Sequence, residues 1–417
     1  MNITLTTYAV VFLVLYVVTE SFEYLVKHLN LRYLSRAGSE APPEFSGQMD
    51  EALVAKAMEY QAEKTRFGFV SGVAGNIGVL IFIFGGLLNA LNSWIVSLGL
   101  PFAVSGWLFF LILLYATELL SAPFSLYLTF RIENKYGFNT MTIRLWISDF
   151  LKSVIISTIL FSVLAFAGFS LIRWSPLHWW FWVWVFLLVF GVFMMYISPR
   201  VIEPLFNKFV PLDDEALKER VVRLAERAGI RAGRVLKVDA SKRSTHSNAY
   251  FTGLGKTKRI VLFDTLLKGM KPEETLAVIA HEIGHWKKKH LLKMMALMEA
   301  MTFAGLWAAY HIIKSGAMAE VFGISKDTIF AGLVLIAFIA GMISLPLKAF
   351  LNYLSRRNEN EADTFSCNLT QDREAMSRAL VKLSKENLSN PHSPHPLYVA
   401  LYYSHPPVLS RIRRILK

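Results

Sequence analysis

Residues 67–117, FGFVSGVAGNIGVLIFIFGGLLNALNSWIVSLGLPFAVSGWLFFLILLYAT, contain no charged side chain. A helix crosses an apolar layer about 30 Å thick in roughly 20 residues, so this stretch is long enough to cross twice. Asn89, Asn92 and the breaker Gly99-Leu100-Pro101 divide it. Two spans follow, 67–88 and 102–126, the latter with Glu118 inside it. Working outward, five more charge-poor runs of similar length read as spans: 3–19, 154–171, 181–198, 294–313 and 328–347. A short turn through Arg173, Pro176 and His178 joins the fourth span to the fifth, and the sixth contains Glu299. The first run lacks the basic flank and small-residue cleavage site of a signal peptide and is read as a retained span.

Composition agrees. Of the 417 residues 54% are hydrophobic and only 18% charged, against about 25% charged in ordinary globular proteins. That excludes disorder and collagen-like repeats. The single cysteine, Cys367, cannot pair within the chain, which excludes a disulfide-stapled secreted fold. The net charge of +13 has a direction. The lysines and arginines lie in 25–66, 127–152, 199–293 and the tail from Lys348, and only Arg173, Lys314 and Lys326 fall on the other side. Basic loops stay cytosolic, so the N-terminus is expected outside or in the lumen and the C-terminus in the cytosol. Charge gathered on one membrane face suits anionic lipid headgroups, and no motif supports a nucleic-acid partner.

A seven-span receptor would share that orientation, but a receptor needs no catalytic motif after its fifth span. Here residues 199–293 read as a small α/β domain. Residues 213–228 have helical periodicity and 235–239 form a short strand, while 248–252 with 258–262 make a hairpin turning at Gly253-Leu254-Gly255. Pro272-Glu273-Glu274 then opens a helix, with proline in the tolerated first turn and carboxylates at the positive end of the dipole.

On that helix stands His281-Glu282-Ile283-Gly284-His285. Residues four apart lie about 40° apart around a helix, so both imidazoles can meet one metal ion, and Glu282 can reach a water held there. A third histidine six residues beyond His285 is missing, since Leu291 occupies that position. The third ligand is therefore expected to be a carboxylate from another helix. Past the seventh span, Glu359 and Asp363 are four apart and share a helical face, while Glu361 points about 200° from Glu359, among Arg357 and Thr364, and is expected at the surface. Glu359 is the expected ligand, with Asp363 one turn on to accept from a ligating imidazole. Glu299 lies five turns beyond His281, so on an unbroken helix it shares the metal face and becomes a candidate for lining a hydrated chamber.

The sequence resembles the integral-membrane CAAX prenyl endopeptidases, zinc metallopeptidases of the endoplasmic reticulum and bacterial membranes. The likeness rests on the ordered series Glu133-Asn134-Lys135-Tyr136-Gly137-Phe138-Asn139, Pro204-Leu205-Phe206-Asn207-Lys208-Phe209, Ser247-Asn248-Ala249-Tyr250-Phe251, residues 259–267, the HEIGH helix, the Glu359 helix and Ser404-His405-Pro406-Pro407. Asn358 departs from it, standing where a bulky aromatic is common.

The resemblance implies one Zn2+ per chain on His281, His285 and Glu359, with Glu282 as general base and His405 as donor to the oxyanion. It implies that the strand at Asn248-Ala249-Tyr250 pairs with extended substrate. It further implies removal of the last three residues after a prenylated cysteine, inside a chamber walled by seven helices. Membrane lipid and a peptide or prenylated protein C-terminus are the implied partners.

The expected fold is thus a multi-pass α-helical membrane protein with seven transmembrane helices and a small α/β zincin-like metallopeptidase domain at the cytosolic face. Its divisions are 1–198 (spans one to five), 199–293 (peptidase domain), 294–348 (spans six and seven) and 349–417 (third-ligand part). The compartment is the endoplasmic reticulum in a eukaryote or the inner membrane in a bacterium. Two alternatives stand beside this reading: quality-control cleavage of membrane proteins, and a receptor or transporter with a structural metal. A closed structural site has four protein ligands, and only three are evident. His246, His290, His392 and His395 are expected at the surface.

Overall fold

The charge-free runs become seven helices long and apolar enough to cross a membrane in the computed structural model, which describes residues 6–230, 234–252, 259–324 and 329–417. They are Thr7–Ser35, Glu51–Phe84, Phe102–Tyr136, Ile143–Trp174, Trp179–Phe206, His290–Ser315 and Ile329–Thr370, here spans one to seven. Most outlast their apolar runs, because the chain stays helical into water. Span two, for example, is capped by Asp50, whose side chain accepts from Leu53 N, well before the apolar run begins. Thr142 caps span four in the same way. Span two ends earlier than the asparagines suggested. Gly86 adopts φ 83, a left-handed conformation that glycine tolerates, and Leu87–Ser97 forms a separate helix in which Asn92 is buried.

The principal contacts between spans run in chain order, one to two and onward to seven, and span seven returns to span one. The result is a ring. Its wall is thinly packed, for none of the apolar window of spans two, five or six is buried. A solid bundle would bury one stripe of every helix, and these three spans bury none. Its two ends are filled. At the end away from the HEIGH motif, Leu88, Phe109, Phe169, Phe330 and Leu335 form one buried cluster, and Gly106 lies so close to Phe169 that a Cβ there would stand 2.6 Å from the ring.

The other end carries the peptidase unit. A four-stranded sheet, β1 (Phe209–Pro211), β2 (Arg234–Val238), β3 (Ala249–Thr252) and β4 (Arg259–Phe263), has the order β1-β2-β4-β3. β2 and β4 are parallel, and the expected hairpin of β3 with β4 is antiparallel, Thr252 facing Arg259. The hairpin turn at Gly253-Leu254-Gly255 lies outside the described residues. The helix expected over 213–228 is Glu215–Arg227, capped by Asp214. Its apolar face joins Ile260, Leu262, Ile279, Ile283 and Ala379 in one core. Since Ala379 belongs to Arg373–Glu386, the segments 199–293 and 349–417, separate in sequence, fold as one packed body.

Candidate active site

Two helices build the site. The HEIGH helix, Pro272–Lys287, and the C-terminal half of span seven run antiparallel, as their contacts in opposite order show: Ser366 Oγ donates to Ala277 O at 2.7 Å, His281 faces Asp363, and His285 faces Glu359. Gly284 explains how close they come. A Cβ at this position would lie 3.2 Å from Ala362 Cα and 3.2 Å from Phe365 Cβ. Only the missing side chain lets the second helix press against the motif.

This approach brings the ligand atoms of three residues together. His281 Nε2 and His285 Nε2 are 3.1 Å apart, His281 Nε2 is 3.3 Å from Glu359 Oε2, and His285 Nε2 is 3.2 Å from Glu359 Oε1. A four-coordinate ion with bonds of about 2.0–2.1 Å separates neighbouring ligand atoms by roughly 3.3 Å. The triangle therefore has the size that a metal ion requires. Glu359 is 4% exposed, and its Oε2 has no hydrogen-bond partner among the described residues, with Arg411 Nη2 3.8 Å away, so a metal ion among the three side chains would complete its coordination.

Behind the triangle, His281 Nδ1 lies 2.9 Å from Oδ1 of the fully buried Asp363. Asp363 also accepts from Arg411 twice, at 2.9 Å and 2.6 Å. Arg411 comes from the last helix, Val408–Leu416, and sequence reasoning missed it, because nothing local marks one arginine of a basic amphipathic helix as the buried one. Glu282 sits beside the triangle with no hydrogen-bond partner among the described residues, and burial raises its carboxyl above the usual range.

The other expected residues are placed as follows. His405 reaches the site from the C-terminal segment, its Nε2 3.2 Å from Glu359 Oε1 and its Nδ1 2.9 Å from Ser404 Oγ. Asn248, Ala249 and Tyr250 lie at the start of β3, which is the sheet edge packed on the HEIGH helix. Ala249 is buried, and the Tyr250 hydroxyl donates to Glu203 at 3.0 Å.

Three expectations fail. The first is Glu299, because the helix is not continuous. It ends at Lys287, Lys289 takes φ 56, and a new helix starts at His290, so the phase that put Glu299 on the metal face is lost. Glu299 lies instead beside span five, where its carbonyl accepts from Trp184 Nε1 at 3.1 Å. The second is His290, which is not at the surface. It is 3% exposed and contacts both His285 and Glu361. Glu361 accordingly pairs with His290 as well as with Arg357. Nor is His246 a free surface group, since it stacks on Phe138 with ring centroids 4.0 Å apart.

Comparison with known proteins accounts for almost the whole chain. Residues 30–208 match the family described as CAAX prenyl protease N-terminal, five membrane helices, and residues 211–417 match peptidase family M48. CAAX prenyl protease 1 of Saccharomyces cerevisiae is 32% identical over 94% of this chain and 91% of its own length. The Homo sapiens homologue is 32% identical over 92% and 90%. The crystal structure of S. mikatae Ste24p superposes with a TM-score of 0.91 at 29% identity, covering 99% of this chain and 100% of that one.

Proposed function

The chain belongs to peptidase family M48, in its CAAX prenyl protease branch, and on that premise we propose that it removes the C-terminal tripeptide of prenylated proteins with one zinc ion. That it is an integral multi-pass membrane metallopeptidase follows from the membership itself. The observation that carries the finer reading is the cluster of His281, His285 and Glu359 beside the carboxylate of Glu282, at one end of a ring of apolar spans. When bound, zinc supplies a Lewis acid and lowers the pKa of water.

The chain's own residues do the rest. Asp363 holds the proton of His281 on Nδ1 and so keeps Nε2 free as a ligand atom. Glu282 takes the proton of the attacking water and returns it to the leaving amine; its raised pKa suits a group that must do both. His405 donates to the oxyanion. β3 offers its outer edge to extended substrate, so that backbone hydrogen bonds around Asn248, Ala249 and Tyr250 hold the peptide without demanding a sequence. The ring of apolar spans suits a prenyl chain. The basic loops favour a peptidase unit in the cytosol with the N-terminus outside or in the lumen, in the endoplasmic reticulum of a eukaryote or the inner membrane of a bacterium.

Mass spectrometry of the products from a farnesylated C-terminal peptide and its unprenylated twin tests this reading. Release of an intact tripeptide from the farnesylated peptide, with much slower cleavage of the twin, is expected. Equal cleavage of both at scattered bonds would favour quality-control proteolysis instead.

A further inference from the structure

The two histidine ligands are supported from behind by different chemistry. His281 turns its second nitrogen to a carboxylate, but His285 turns its own to another imidazole: His285 Nδ1 and His290 Nδ1 are 3.1 Å apart. His290 Nε2 in turn lies 3.4 Å from Glu361 Oε2, and Glu361 Oε1 lies 3.4 Å from Arg357 Nε.

The protons in this row are fixed by valence. A neutral His285 that offers the lone pair of Nε2 to a metal carries its proton on Nδ1 and must donate it. His290 Nδ1 must then accept, which leaves the proton of a neutral His290 on Nε2, aimed at Glu361. A doubly protonated His290 would set one N–H against another.

The backbone is bent to make this contact. On a continued helix a residue five beyond His285 would stand about 140° round from it. Lys289, at φ 56 and ψ 34, reverses the chain so that His290 folds back onto His285. A left-handed conformation is unfavourable for a lysine, and such costs persist where the surroundings hold them in place, often at functional sites.

We propose that His290 and Glu361 are positioning residues for His285, fixing its tautomer and ring orientation and strengthening it as a ligand. The proposal rests on reading His281, His285 and Glu359 as the metal ligands. Zinc affinity of the full-length detergent-purified protein, measured by competition with a chelator, tests both. His285→Ala should lose bound zinc. His290→Ala should bind zinc about 10–100-fold more weakly, the loss typical of removing a ligand's outer partner. His290→Gln should recover part of that loss, because its amide oxygen can accept from His285 Nδ1–H. Glu361→Gln should stay near wild type, and Glu361→Ala should fall between wild type and His290→Ala. The metal-free His290→Ala protein should melt with metal-free wild type.

Zinc affinity of His290→Ala within twofold of wild type, while His285→Ala loses zinc, would overturn the proposal. Retention of zinc by His285→Ala would overturn the ligand reading instead. Equal zinc losses in His290→Ala and His290→Gln, with a lowered metal-free melting temperature in both, would assign His290 to packing and also overturn it.

Discussion

In span two, Val70 and Ile77 are 63% and 51% exposed, whereas in the HEIGH helix Ala277, Ile279, Ala280 and Ile283 are fully buried. Both are long regular helices of one chain, yet they are stabilised by different surroundings. The wall spans leave most of their apolar side chains exposed, so their sequence need only be apolar and helical. The HEIGH helix is enclosed by the sheet, by span seven and by the C-terminal helices, and several of its polar residues have specific partners, as Glu274 has in Lys382 and His285 in Glu359 and His290. Positional specificity is therefore concentrated in the peptidase unit, and the wall tolerates change.

Mutations in the two regions can break that contrast. The largest effect should come from Asp363→Ala, which leaves Arg411 buried without its bidentate partner. A broken buried pair costs about 3–5 kcal/mol, and the thermal unfolding midpoint in detergent should fall accordingly. A drop no larger than that of a surface substitution would mean that water reaches this cluster. Gly284→Ala comes next. Its Cβ must push Ala362 and Phe365 away by a few tenths of an ångström, an overpacking of about 1–3 kcal/mol. Zinc binding should weaken with it, because the helix being displaced carries Glu359. Ile77→Ala should be the mildest, within about 0.5 kcal/mol. A loss of several kcal/mol there would show that the ring is packed solid.

The same contrast explains what the amino-acid sequence made legible. All seven spans were readable from charge-free runs, because the membrane imposes one simple rule on each. His281, His285, Glu359 and Asp363 were readable because regular helices carry them, and helical phase alone puts the right side chains on one face. What escaped depended on departures from regularity or on distant chain. The left-handed turn at Lys289 broke the phase, which misplaced Glu299 and hid His290. Arg411 arrives from 48 residues beyond Asp363 through tertiary packing that no local pattern encodes. β1 is three residues long, and its pairing with β2 was not anticipated. The parallel pairing of β2 with β4, likewise, is a matter of topology and not of composition.

The central claim is that Glu282 is the base of a metal site whose ligands are its neighbours. Metal analysis of Glu282→Gln beside a turnover assay tests this most directly. The account predicts zinc bound at wild-type stoichiometry, an unchanged melting temperature and turnover reduced by at least about 10²-fold, the lower end of what a positioned general base contributes. Substantial turnover with zinc still bound would contradict it.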